Sequence, residues 1–87
     1  MPTIPLCQLR PGEGGTVQQL NTLGSMRRRL MDLGVLPKAV VVCVGHSPAG
    51  DPAAYAIRGA VVALRQTDAA TVLVQRWEED GYGAQNG

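Results

Sequence analysis

Few side chains in this sequence are equipped for chemistry, and they are scattered: Cys7, Cys43, the single histidine His46, and Asp51. Thiolate, imidazole and carboxylate together are ligands for a transition-metal ion, the one cofactor these residue types admit. Cys43 and His46 are separated by an odd offset. On one regular strand they point to opposite faces, so they meet at one ion only if the strand ends before His46. The expectation is therefore two packed thiols, most simply free although their spacing leaves a disulfide open, a loop histidine and no resident cofactor, with Cys7, Cys43, His46 and Asp51 forming the metal-binding alternative. Ser47 adjoins His46, but adjacency in sequence does not align a nucleophile with its base. Gly12-Glu13-Gly14-Gly15 lacks the Gly-Lys-Ser/Thr ending of a phosphate loop. No catalysis is expected.

Other residues suit contact rather than reaction. Arg27-Arg28-Arg29 diverge by about 100° per residue on a helix, so they cannot share a face. Arg28 and Asp32, one turn apart, can pair, for a gain of only about 0.2–0.5 kcal/mol. Met31 falls away from the apolar side of that helix, near Arg27, where an adaptable thioether suits a protein contact. The loop Ser47-Pro48-Ala49-Gly50-Asp51-Pro52 is stiffened by its prolines, which lowers the entropy cost of binding. Asp51 itself is better suited to accept bonds from nearby backbone N–H groups, while the loop as a whole is a contact candidate. Trp77 is expected to plug an open barrel end, with partner anchoring as the alternative.

The elements positioning these residues must be small. The chain has 87 residues, 45% of them hydrophobic, 17% charged and 3% aromatic, so one domain with an aliphatic core is expected. Lys and Arg total 8 against 7 Asp and Glu. This balance disfavours nucleic acid, whose phosphates select a basic excess. The longest apolar run, residues 39–44, falls far short of a bilayer span, and no targeting segment is expected at the N-terminus.

Local patterning gives a mainly β reading. Residues 16–20 form a strand. Met26, Leu30 and Leu33 recur at helical spacing, with Ser25 as N-cap, Gly34 as left-handed C-terminal cap and Pro37 beyond it. Val35 or Leu36 is expected to fold back on the last turn. Residues 39–44 form a strand covered on both faces. Strands follow at 54–58 and 61–64, with a tight bend at Gly59, one helical turn at 65–70 and a last strand at 71–74. Several short strands and one helix suggest a small, partly open β-barrel. The domain is placed at 1–77 and a flexible tail at 78–87. Strand edges leave self-association open.

Arg27-Arg28-Arg29-Leu30-Met31-Asp32-Leu33-Gly34-Val35 with Pro37 resembles the helix and cap of the FeoA family. Residues 47–52 resemble its central loop, Arg58-Gly59 with Val62-Ala63-Leu64-Arg65 its next hairpin, and Ala69 with Thr71-Val72-Leu73-Val74 its closing strand. The resemblance covers residues 6–74. It implies a small SH3-like barrel with one α-helix between early strands, in the bacterial cytoplasm, beside a FeoB-type ferrous iron transporter. Similar barrels end the iron-dependent repressors, so a metal-responsive regulatory domain is the alternative. Lys38 stands where the family often has Gly. On this reading Arg27, Met31, Leu36, Pro37, Pro48, Asp51 and Arg58 form the surface for the transporter's cytosolic part. No nucleic acid and no membrane insertion are expected.

Overall fold

A computed structural model describes residues 3–78. The strands are β1 (Thr3–Pro5), β2 (Gly14–Leu20), β3 (Val40–His46), β4 (Ala53–Ile57), β5 (Ala60–Leu64) and β6 (Val72–Arg76). Helix α1 (Gly24–Asp32) lies between β2 and β3, and a single helical turn, α2 (Gln66–Ala69), lies between β5 and β6. A 3-10 turn at Leu6–Gln8 follows β1. The strands form one antiparallel six-stranded sheet in the order β1-β6-β2-β3-β4-β5. It curls as an open SH3-like barrel, in keeping with the mainly β expectation. The expected tail at 78–87 lies, apart from Glu78, outside the described residues.

Helix α1 stops where local chemistry dictates. Gly34 takes φ +103°, its N–H bonds Met31 O at 3.0 Å, and the N–H of Val35 bonds Leu30 O at 2.9 Å. This pair of bonds is the Schellman closure, and the buried Leu30 and Val35 supply its apolar clasp. Leu30 faces the core, with Met26 and Leu33 packed at its margin. The start differs from expectation. The helix begins at Gly24, after Leu23, and no side chain caps it. A glycine at φ +67° turns the chain there, so Ser25 already lies inside the helix.

Strand β3 is not covered on both faces. Val41 and Cys43 are buried, whereas Val40 and Val44 are about half exposed. Its unbroken apolar run reflects an outer surface as apolar as the inner one. The core is aliphatic with one exception. Tyr55, at 1% exposure, is the largest fully buried side chain. Tyr55 stands opposite Cys43 on β3 and Val62 on β5, and burial pushes its hydroxyl up to about 12.

Trp77 does not plug a barrel end. Its N–H bonds Gly14 O at 2.9 Å, and its indole N–H donates to Thr16 Oγ1 at 3.2 Å. The ring packs against β2, where a Cβ on Gly14 would stand 2.8 Å from it. No helix of the described residues is long and apolar enough to cross a membrane.

Candidate functional site

The pairing of β3 with β4 decides what His46 does. Cys43 lies opposite Tyr55 and His46 opposite Ala53, with a register shift between Cys43 and Gly45. Val44 is thus the extra residue of a β-bulge, and a bulge re-aims the side chains that follow it. His46 consequently shares the face of Cys43. Its Nε2 lies 4.0 Å from Cys43 Sγ. The expectation that an odd offset separates the two is corrected, although the strand does continue through His46.

A half-open pocket of about 130 Å³ lies beside this pair, lined by Cys7, His46, Gly50, Asp51, Ala53, Tyr55 and Gln66. The structure therefore brings all four residues of the metal-binding alternative to one region. Their individual states do not favour a metal centre. Cys7 and Cys43 are free thiols, and burial pushes the Cys43 thiol up. Asp51 Oδ1 accepts the Gln66 N–H at 2.9 Å and thereby holds the start of α2. Among the described residues, no three His, Cys, Asp or Glu side chains are grouped to hold an ion.

The seven expected contact residues fall into two groups. Strand β4 separates them, because the β3–β4 loop and the β4–β5 turn sit at its opposite ends, roughly 16 Å apart for five extended residues. Pro48 and Asp51 lie at the loop end. Arg27, Met31, Leu36, Pro37 and Arg58 lie at the other end, around α1 and its cap. There Arg58 is central. Arg58 and Gly59 both have positive φ, 51° and 84°, so they form the type I′ turn that suits a two-residue hairpin. This turn lays the stem of Arg58 across Gly34, leaving no room for a Cβ.

The other expected contact residues at this end are exposed to different degrees. Pro37 is exposed and Leu36 half-buried. Met31 is 40% exposed on the outer side of α1. Arg27 turns back instead, donating to the carbonyls of Leu20 and Thr22, so its guanidinium ties α1 to the end of β2. Arg28 and Asp32 do not pair. The single ion pair among the described residues joins Arg76 and Glu13 at 3.8 Å. Sequence reasoning missed Leu23, which is 84% exposed just before α1. Its only signal was an isolated apolar residue between strand and helix, where a staple against the helix would be the ordinary expectation.

A family model described as FeoA domain matches residues 4–76. No curated relative matches the chain. The FeoA-like protein of Clostridium acetobutylicum shares 28% identity and superimposes with a TM-score of 0.82, covering 91% of this chain and 92% of that one. A zinc-complexed FeoA of Stenotrophomonas maltophilia, described as a prokaryotic SH3 domain protein and a candidate activating factor of ferrous iron transport, shares 26% identity. Its TM-score is 0.73, over 86% of this chain and 91% of that one. A manganese-dependent transcriptional repressor shares the fold at 22% identity and TM-score 0.79, over 88% of this chain but 42% of that one. With a matching model spanning nearly all the described residues and full-length neighbours of the same architecture, the chain belongs to the FeoA domain family, accessory proteins of ferrous iron transport.

Proposed function

We propose that this domain is a non-enzymatic module of the bacterial cytoplasm that binds the cytosolic part of a FeoB-type ferrous iron transporter and shifts the populations of its states. The observation that carries this reading is the α1 end of the barrel. Met31 stands exposed among arginines, on a helix fixed by a Schellman cap and by the Arg58 stem. A preformed apolar and basic surface loses little entropy on docking. A module of this kind changes its partner only through binding energy that differs between the partner's states. Pro48 and Asp51 sit too far away to join this contact unless the partner wraps the barrel, so Met31, Leu36, Pro37 and Arg58 form its centre. The scarcity of grouped ionisable side chains supports a role without turnover. The repressor likeness is of fold alone and does not favour the metal-responsive alternative.

Capture of the transporter's purified cytosolic domain by the immobilised protein tests the proposal. Met31→Glu is expected to weaken capture at least 10-fold while leaving the melting profile unchanged, since Met31 lies outside the core. No capture of that domain in any nucleotide state, or of the detergent-solubilised transporter, removes the reading. Ferrous iron and zinc calorimetry on reduced protein separates the alternative. Saturable one-to-one binding abolished by Cys43→Ser would replace the proposal with a metal-responsive one.

A further inference from the structure

The sheet has two edges, and they are built differently. Strand β1 is three residues long and ends in Pro5, which has no N–H to offer. Strand β5 is Ala-Val-Val-Ala-Leu, without proline or charge, and among the described residues it pairs with β4 alone. Natural sheets usually protect such an edge with charge, proline or a bulge. Here those devices are absent from the strand itself.

The pairing shows which groups are free. The two-residue turn closes on Ile57 and Ala60, so this pair exchanges both backbone bonds. Alternation then gives Tyr55–Val62 and Ala53–Leu64 the same bonding. The N–H and C=O groups of Val61 and Ala63 therefore point away from β4, and no other backbone group takes them up among the described residues. Their side chains face outward as well. Val61 is 69% exposed and Ala63 is exposed. Across the sheet Val61 continues into Ala56 and Val42, and Ala63 into Ala54. An added strand would thus meet an apolar strip.

Charge decides what kind of strand fits. Arg58 precedes β5 and Arg65 follows it. Both are exposed, and neither forms an ion pair among the described residues. If a second copy paired antiparallel about Val62, its Arg65 would fall opposite Gly59, beside Arg58, and the same would occur at the far end. Like charges would meet at both ends. We infer that the open edge of β5 receives an extended peptide segment of a partner, about five residues long at its apolar centre and acidic at both ends, which adds to the sheet as a further strand. The inference rests on reading the domain as a binding module, and on no particular partner.

Displayed random nonapeptides selected against the immobilised full chain at low salt supply the probe. Enriched sequences are expected to alternate apolar residues and to carry Asp or Glu at both ends. One such peptide, synthesised and titrated by calorimetry, should bind Val61→Pro at least 10-fold more weakly. That substitution removes an N–H facing solvent and leaves every bond to β4 in place. Arg65→Glu, outside the strand, should weaken the acidic peptide several-fold and spare a neutral-ended version. Bound peptide should slow hydrogen exchange at the Val61 and Ala63 amides at least 10-fold.

The inference is overturned if no peptide is enriched, or if enriched peptides bind Val61→Pro as tightly as the parent. It is also overturned if the free chain self-associates through β5 and Val61→Pro abolishes this, since a second copy would then be the occupant. Transporter capture without enriched peptides sinks the edge alone. Edge-binding peptides without transporter capture sink the transporter reading alone.

Discussion

Replacing Gly34 with alanine puts two separable costs on one residue. The first is backbone. At φ +103° an alanine is strained by about 1–2 kcal/mol, because its Cβ crowds the following carbonyl. The second is the Arg58 stem. The new methyl would overlap Arg58 Cδ and stand 3.0 Å from its Cγ, so the arginine must lift away. Arg58 is already exposed overall, and losing part of the contact of two methylenes costs about 0.5–1 kcal/mol. The sum is about 1.5–3 kcal/mol, a large share of the stability of a small domain. Urea denaturation followed by Trp77 fluorescence measures it. The decisive arm is the same substitution in an Arg58→Ala background. There the cost should fall to about 1–2 kcal/mol, a coupling of about 0.5–1 kcal/mol between the sites. Equal costs in both backgrounds would refute the claim that the β4–β5 turn locks the cap of α1 through Arg58. A cost under about 0.5 kcal/mol in the parent would refute the left-handed cap itself.

Three further outcomes are expected. Lys38 has φ +75°, so Lys38→Gly should raise stability by up to about 1 kcal/mol, with strain relief exceeding the added entropy of the unfolded chain; a loss of stability would contradict the assignment. Thr22, 4% exposed, shares a 2.6 Å hydroxyl contact with Thr71, whose own hydroxyl donates to Asp68 O at 2.7 Å; Thr22→Val should cost about 1 kcal/mol in thermal melts, more than Thr→Val at exposed Thr67. Tyr55 titrates near 12 when folded against 10.0 ordinarily, mainly through burial. A raised acid contributes stability in full below its unfolded value and loses it as pH rises through the folded one. Melting temperatures should therefore fall between pH 10 and 12, and Tyr55→Phe should flatten that fall; an unchanged slope would show that the hydroxyl is not held neutral by the fold.

Much of the fold was legible because its cues are local. Gly34 and Pro37 mark a helix end whatever surrounds them, and Met26, Leu30 and Leu33 mark its buried side. Gly59 marked its turn for the same reason, since a hairpin of two residues needs positive φ. The aliphatic core followed from composition, and Tyr55 escaped that reasoning because composition does not say where a single aromatic is buried. The helix start was misread because Leu23 and Gly24 begin α1 through backbone conformation, without a capping side chain.

The candidate sites were less legible, because they depend on which strands pair and in what register. The sequence by itself determined a small, aliphatic barrel of near-zero net charge, with one capped helix and few reactive groups, since periodicity and turn chemistry act over a handful of neighbouring residues. Only the tertiary structure decided that Val44 bulges and brings His46 to Cys43, that Arg58 lies on Gly34, that Trp77 covers Gly14, and that β5 has no second partner among the described residues. Each of these arises where segments distant in the chain meet, and no local pattern encodes the register of that meeting.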